Sequence, residues 1–248
     1  MSRLRAAGCV FAEDEARLLM SAAGMPAELD AMVSRRAAGE PLEQVIGWAE
    51  FCGLRITVAP GVFVPRRRTE FLVRQAVAVA PPGAVIVDLC CGAGAIGAAL
   101  AAAVDHAEVH AADVDPVAVR CARQNLPAAR VYAGDLYEAL PSGLRGRIAI
   151  LAANVPYVPT GDITFLPSEA RTHEPRTALD GGQDGLDVLR RVAAGAPAWL
   201  TPGGYLLSET SERQAPLAER ALAAAGLTAQ VVSSDDLGAT VVIGRRPG

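Results

Sequence analysis

Apolar and polar positions alternate in blocks from residue 69 to the end of the chain. Short apolar runs predict seven strands, at 85–89, 108–112, 129–133, 148–153, 204–208, 229–233 and 240–243. Segments with apolar residues at helical spacing predict helices at 69–79, 95–103, 116–125, 186–199 and 213–225. Strands that alternate with helices predict an α/β fold with a mostly parallel sheet covered on both faces. The short turn before the last strand predicts an antiparallel pair there.

The pattern before residue 66 is different. Residues 11–36 are rich in Ala, Leu and Glu at helical spacing and are interrupted at Met25-Pro26, which predicts a small helical cap. Residues 50–58 and 62–64 predict two short strands around Pro60-Gly61. We therefore expect a helical region at 1–47, a β-hairpin connector at 48–65 and one large domain at 66–248.

Composition narrows the class of protein. With 248 residues, 51% of them hydrophobic, the chain can form one large domain plus a small appendage. It lacks an apolar run of about 18 residues and a signal-peptide pattern, so we expect a soluble, cytoplasmic protein without a membrane partner. The formal net charge of −4 argues against a stable nucleic-acid partner. The triplet Arg66-Arg67-Arg68 is either a solvated turn or a patch for an acidic partner.

Cysteine and histidine spacing indicates no metal centre. The five cysteines contain no CxxC pair, and the three histidines lie at no metal-ligand spacing from one another or from a cysteine. We expect the cysteines to be reduced core or loop residues.

A glycine-rich loop follows the first strand of the large domain, in the segment from Asp88 to Gly97. Its glycines permit a tight turn and close approach of the backbone to a nucleoside ligand. Gly92, Gly94 and Gly97 also satisfy GxGxxG, so a dinucleotide is an alternative. Asp88 directly precedes the loop, where its carboxylate would repel a pyrophosphate and attract the ammonium group of a methionine moiety. This charge favours S-adenosylmethionine as the cofactor.

Two further acids end the next two strands. Asp113 can accept hydrogen bonds from ribose hydroxyls, a role that either cofactor allows. Asp135 can bind the exocyclic amine of adenine while Leu136 packs on the ring, or Asp135 can be a turn or helix-cap residue.

The segment Asn154-Val155-Pro156-Tyr157 follows the strand at 148–153 and lies at the sheet edge where α/β proteins bind ligands. An amide nitrogen is a poor nucleophile, so an enzyme must orient it. The Asn154 side-chain oxygen and the Val155 carbonyl can accept the two amide hydrogens, and Tyr157 can pack on the flat group. The structural alternative is that Asn154 caps a turn before Pro156.

Four segments together resemble the HemK/PrmC family of protein-(glutamine-N5) methyltransferases, from about residue 41 to the C-terminus. They are VPRRRTE at 64–70 (the family has IPRPxTE), DLCCGAG at 88–94 (DLGxGxG), NVPY at 154–157 (NPPY) and EPRTALDGGQDG at 174–185 (EPxxALxGGxDG). The family has a Rossmann-like class I methyltransferase fold.

The resemblance implies a set of site residues and an acceptor. Cofactor contacts carried over are Cys90, Cys91, Gly92, Ala93, Gly94, Asp113, Leu136 and Asn154. Catalytic and substrate contacts carried over are Asn154, Val155, Pro156 and Tyr157. The implied acceptor is a protein glutamine, in this family that of a Gly-Gly-Gln tripeptide in peptide-chain release factors.

Departures from the family pattern keep other functions open. Cys90 replaces the first loop glycine, so the loop either accommodates a side chain there or uses a backbone angle that needs no glycine. Val155 replaces a proline, and the N-terminal region is shorter than the family's. One alternative is amino-group methylation of adenine or cytosine in nucleic acid, which uses a related motif; the other is a non-catalytic cofactor-binding relative.

Overall fold

Residues 1–47 form a small helical region of their own. In the computed structural model, which describes residues 1–126 and 130–248, its helices are α1 (Ser2–Ala6), α2 (Ala12–Ala22), α3 (Pro26–Ala37) and α4 (Leu42–Ile46). The predicted interruption is confirmed, since Pro26 begins α3 at a position where proline is tolerated. The helices α1 and α4 have five residues each, too few for a periodic pattern to indicate them. Leu4, Leu19 and Val45 pack together as a separate small core.

The hairpin lies nearer the N-terminus than expected. Strands β1 (Trp48–Phe51) and β2 (Leu54–Thr57) pair antiparallel around a turn at Cys52 and Gly53. Both turn residues have positive φ, +50° and +74°, as a two-residue type I′ hairpin requires. The predicted turn at Pro60-Gly61 forms, but it follows the hairpin and does not close it, and the prediction of a strand at 62–64 was wrong. Cysteine rarely adopts this conformation, so the sequence carries no clear signal for the turn that forms.

The predicted sheet is confirmed, with seven strands in the part of the chain that the structure describes. They are β3 (Val85–Leu89), β4 (Glu108–Asp113), β5 (Val131–Ala133), β6 (Ile148–Ala153), β7 (Leu200–Thr210), β8 (Thr228–Ser234) and β9 (Ala239–Arg245). Their order is β5-β4-β3-β6-β7-β9-β8, parallel from β5 to β7 and antiparallel from β7 to β8. Residue 129 of the strand predicted at 129–133 lies outside the described residues.

Helices cover both faces of this sheet, as predicted. They are α5 (Glu70–Val79), α6 (Ala95–Ala103), α7 (Pro116–Asn125), α9 (Asp187–Trp199) and α10 (Ala215–Ala224). The short helix α8 (Ser168–His173) has no buried residue and contributes to neither core. On β3, Ile86 belongs to the core beneath α5, α6 and α7, and Val87 to the core beneath α9 and α10. Burial on both faces explains why β3 is a continuous apolar run rather than an alternating one. No helix in the described ranges is long and apolar enough to cross a membrane.

The strand order places a crevice at the end of β3. The chain runs from β3 to β4 on one side and returns to β6 on the other, which is the arrangement that opens a ligand site at the carboxyl ends of the strands. Leu89 and Ala153 are partners in the β3–β6 ladder. The glycine-rich loop and the segment that begins at Asn154 therefore leave the sheet side by side.

Candidate functional site

A cavity of about 820 Å³ opens at this crevice, within the usual size of small-molecule sites. Most of the residues expected to form a site line it. They are Cys90, Cys91, Gly92, Ala93, Asp113, Asn154, Val155, Pro156 and Tyr157.

Asp88 supports the cavity from below and is not part of its wall. Its side chain is completely buried, and its Oδ2 accepts a hydrogen bond of 2.8 Å from the Gly97 N–H in the first turn of α6. Burial raises the pKa of Asp88 to about 7. From this position Asp88 fixes the loop to the helix, while its Oδ1 is buried and has no hydrogen-bond partner among the described residues. A contact of Asp88 with a methionine ammonium stays a prediction. Gly94 also lies behind the wall, as the residue before α6.

Asp135 and Leu136 lie beyond the cavity wall, next to β5. The Asp135 Oδ2 pairs with the Arg191 Nη2 at 2.6 Å, and Leu136 is buried at the start of a 3-10 helix, Leu136–Ala139. This placement agrees with the turn alternative for Asp135. Adenine contacts by these two residues stay predictions.

The glycine-rich loop keeps its glycine-like shape although Cys90 replaces a glycine. Cys90 has a φ of +56°, so the loop accommodates a side chain in a left-handed conformation rather than avoiding that conformation. The Cys91 N–H donates to the Ala112 carbonyl at 3.1 Å, and the Gly92 N–H donates to the Asp113 Oδ2 at 2.8 Å. The space where Gly92 lacks a side chain is open. The loop is therefore held firmly and leaves room for a ligand against its backbone.

Asp113 links this loop to the following helix. Its Oδ1 accepts a hydrogen bond of 2.9 Å from the Asp115 N–H, while Oδ2 accepts the one from Gly92. Burial raises the pKa of this carboxyl. Each carboxylate oxygen can accept a second hydrogen bond, so Asp113 retains capacity for ribose hydroxyls.

Asn154 presents an unsatisfied acceptor. Its Oδ1 is buried and has no hydrogen-bond partner among the described residues. Buried polar atoms are nearly always paired, and an unpaired one in a cavity wall indicates a ligand that supplies the partner. Val155, the next residue, is also buried in this wall.

Sequence reasoning missed the residues that surround Tyr157. Its hydroxyl donates to the Glu209 Oε1 at 2.9 Å and accepts from the Arg68 Nη2 at 2.5 Å. Glu209 is buried near the end of β7, at the same sheet edge as Asn154, so the strand-end rule could have indicated it. Neither expectation for the arginine triplet describes all of it. Arg68 pairs with Glu209, Arg66 pairs with Glu174 at 2.5 Å, and Arg67 is exposed.

The segment that contains EPRTALDGGQDG packs behind the Asn154–Tyr157 loop. The Val158 N–H donates to the Leu179 carbonyl at 3.0 Å, and the Gly181 N–H donates to the Val158 carbonyl at 2.8 Å. The Glu174 Oε1 accepts hydrogen bonds from the Val64 N–H and from Arg66. This motif is therefore a backbone support for the loop, joined to the segment before α5.

Comparison with known proteins identifies the family. The model of the family "Methyltransferase small domain" matches residues 53–162. A release factor glutamine methyltransferase of Geobacter sulfurreducens is 39% identical over 230 residues, which cover 90% of this chain and 80% of the relative. The chain belongs to the family of release factor glutamine methyltransferases. Family membership makes it an S-adenosylmethionine-dependent methyltransferase and confirms the predicted cofactor over a dinucleotide.

Two other proteins similar to this chain lie outside the glutamine methyltransferases. A 4-amino-L-phenylalanine/4-methylamino-L-phenylalanine methyltransferase of Streptomyces pristinaespiralis is 38% identical, over 73% of this chain and 65% of that protein. The crystal structure of a methyltransferase from Pyrococcus furiosus matches with a TM-score of 0.60 at 16% identity, over 79% of this chain and 90% of that one. The second similarity confirms the predicted methyltransferase fold alone.

The cavity fits the cofactor of this family. The open space beside Gly92 admits a ligand against the loop, Asp113 offers carboxylate acceptors, and Asn154 has the unpaired oxygen. Gly92 and Asp113 would hold S-adenosylmethionine, and the cavity extends past them to Asn154 and Tyr157, with room for an acceptor.

Proposed function

We propose that this protein transfers a methyl group from S-adenosylmethionine to the side-chain amide nitrogen of a protein glutamine, in the cytoplasm. We further propose that this glutamine belongs to the Gly-Gly-Gln tripeptide of a peptide-chain release factor. One observation carries the reaction type: the buried, unpaired Oδ1 of Asn154 at the end of β6, beside the cofactor loop.

Asn154 and Val155 would orient the amide group. The Asn154 Oδ1 accepts one amide hydrogen and the Val155 main-chain carbonyl accepts the other. Both hydrogens then point away from the cofactor loop, and the nitrogen faces it. Holding the two reactants in this geometry lowers the barrier to methyl transfer, because the entropy of bringing them together is lost on binding and not in the chemical step.

The chemistry needs no nucleophile from the protein. S-adenosylmethionine supplies an electrophilic methyl group on a sulfonium. Among the residues that the structure describes, the cavity wall contains no histidine, and burial raises the pKa of Cys90 and Cys91, which keeps both thiols protonated. The bond between the sulfonium and the methyl group would break as the N–C bond forms, which would leave sulfur as a neutral thioether. Positive charge would pass to the acceptor nitrogen, where the two carbonyl dipoles would stabilise it in the transition state, and the nitrogen would then lose a proton to solvent.

The acceptor proposal is supported by the relatives. Proteins named release factor glutamine methyltransferase from Geobacter sulfurreducens, Streptomyces coelicolor and Deinococcus radiodurans are 38–41% identical to this chain. The resemblance in VPRRRTE, NVPY and EPRTALDGGQDG points to the same acceptor.

Transfer of labelled methyl groups to purified release factor tests this function. We expect incorporation into the natural release factor and none into a variant whose Gly-Gly-Gln glutamine is changed to alanine. Equal labelling of both proteins would refute the proposed site. No labelling of either by enzyme that binds the cofactor would refute the proposed acceptor.

A second candidate acceptor is an aromatic amine on a free amino acid. The Streptomyces pristinaespiralis relative, named for 4-amino-L-phenylalanine, supports it at 38% identity. An aromatic amine is also a planar nitrogen with two hydrogens, which the same two acceptors can bind. Labelling of 4-amino-L-phenylalanine in preference to release factor would favour this candidate. Labelling of neither, with transfer to RNA, would favour the nucleic-acid alternative.

A further inference from the structure

Glu209 is a buried carboxylate within the site that accepts three hydrogen bonds, one of them from Tyr157. It is 3% exposed near the end of β7, the strand next to β6. Its Oε1 accepts from the Tyr157 hydroxyl at 2.9 Å and from the Arg68 Nε at 2.8 Å, and its Oε2 accepts from the Thr69 hydroxyl at 2.5 Å. Burying a carboxylate is costly unless it is paired and hydrogen-bonded, and here both oxygens are.

Arg68 closes the network from the other side. Its Nη2 donates to the Tyr157 hydroxyl at 2.5 Å while its Nε binds Glu209, and its guanidinium carbon lies 5.9 Å from the centre of the tyrosine ring. The three groups therefore form a closed triangle of hydrogen bonds. The Tyr157 hydroxyl both donates and accepts within it, so it has no donor left for a substrate.

We propose that Glu209 and Arg68 are positioning residues that fix the ring of Tyr157 against the acceptor group. This inference rests on the proposed function, because it assigns Tyr157 its place beside a planar amide. Tyr157 acts through its ring face, and its hydroxyl is the anchor. Burial raises the pKa of Tyr157, so the phenol keeps at neutral pH the proton that it donates to Glu209.

The geometry explains why an anchor is needed at this position. Tyr157 follows Val155 and Pro156 on the loop after β6, and a tyrosine ring on such a loop can rotate about two side-chain torsions unless its far end is held. Glu209 belongs to β7, whose residues Tyr205, Leu206 and Leu207 pair with β6. The triangle therefore ties the far end of the ring to the sheet that carries the loop Asn154–Tyr157, which we call the acceptor loop.

A double-mutant cycle tests this assignment. We expect Tyr157→Phe and Arg68→Met each to lower kcat roughly 10-fold or more with little change in cofactor affinity, since small displacements in a site cost this much. If both act through the phenol hydroxyl, Arg68→Met adds less than about 2-fold in the Tyr157→Phe background. Fully multiplicative effects would overturn the proposal. Arg68→Met leaves the buried Glu209 without its cation, so the free energy of unfolding is measured for every variant and kcat is compared at a temperature at which all of them are folded. Exposed Arg67→Met is the matched control with unchanged kcat.

A second measurement needs no acceptor. The chain has four tyrosines, so labelling them with ¹³C at the ring carbon bonded to oxygen gives few resonances, and Tyr157→Phe identifies the one that matters. We expect Arg68→Met and Glu209→Gln to shift that resonance and Arg67→Met to leave it in place. An unmoved resonance in both variants would overturn the anchor. A shifted resonance in an enzyme that labels no release factor would instead reject the proposed acceptor and leave the anchor standing.

Discussion

The side-chain amide of Gln214 holds the main-chain carbonyl of Tyr157 at 2.8 Å, and the same Nε2 donates to the Asp184 carbonyl at 2.9 Å. Ser211 donates its hydroxyl to the Gln214 Oε1 at 2.6 Å, which fixes the orientation of the amide. One buried glutamine thus joins the acceptor loop to the glycine-containing motif behind it. The shape of the acceptor loop depends on backbone contacts as well as on Asn154 and Tyr157.

Substitution of Gly185 by alanine tests whether these backbone contacts support the acceptor loop. A Cβ there would overlap the Tyr157 carbonyl and the Gln214 amide, and Gly185 also has a φ of +79°. Gly226 has a similar φ of +84° but open space around it. We expect Gly226→Ala to cost about 1–2 kcal/mol in the free energy of unfolding, from the left-handed backbone alone. We expect Gly185→Ala to cost at least about 1–3 kcal/mol more, from the overlap, and to lower activity. Equal costs in urea unfolding would contradict this role.

Asn154→Ala separates binding from catalysis. We expect cofactor affinity to remain close to that of the natural protein, because the loop at 90–94 is intact, and methyl transfer to fall at least about 10-fold, or 1.4 kcal/mol. Isothermal titration with the cofactor product and single-turnover kinetics would measure the two effects. Unchanged turnover would remove Asn154 from the proposed mechanism.

Asp88 predicts an unusual dependence of stability on pH. Its folded pKa of about 7 lies above the model-peptide value of 3.8, so between these values the folded protein keeps a proton that the unfolded chain releases. This contribution to stability is complete below about pH 4 and is lost as the pH rises through 7. We expect Asp88→Asn to remove this pH-dependent loss of stability. In urea unfolding, the free energy of unfolding of the variant should therefore rise relative to that of the natural protein between pH 4 and pH 7. A constant difference across this range would contradict the raised pKa.

Two substitutions of Cys90 test the backbone strain in the glycine-rich loop. Alanine and glycine both remove the thiol, but only glycine adopts a φ of +56° without strain. We expect Cys90→Gly to be more stable than Cys90→Ala by about 1 kcal/mol, the left-handed cost less the entropy that glycine loses on folding. The measurement is the difference in urea midpoint between the two variants. Equal stability would mean that the loop relaxes to another backbone angle when the side chain shrinks.

The regular parts of the fold follow from local patterns. Apolar runs such as those of β3 and β6 are buried on both faces, and helices of ten or more residues leave a periodic signal, so the sheet and most of its helices are predictable. The short elements are not. A five-residue helix such as α4 spans little more than one turn, and the turn at Cys52 uses a residue that is not typical of turns.

The site was predictable where its residues are consecutive. Residues 90–93 and 154–157 follow strands directly, so the strand-end rule places them together. Glu209 and Arg68 are 141 positions apart, and their pairing depends on β7 lying beside β6, which only the tertiary structure establishes. The support that Asp88 gives to the loop was not predictable for a related reason, since the sequence does not indicate that one of its carboxylate oxygens turns toward α6.

The pairing of β3 with β6 sets the distance between the points at which two loops of the cavity leave the sheet. Leu89 and Ala153 are paired, so the glycine-rich loop and the Asn154–Tyr157 loop start one strand spacing apart, about 4.8 Å. That separation is a property of the backbone and is independent of the side chains that follow. Substitutions in the loop after β6 therefore change the side chains that face the cavity without moving the point at which either loop leaves the sheet.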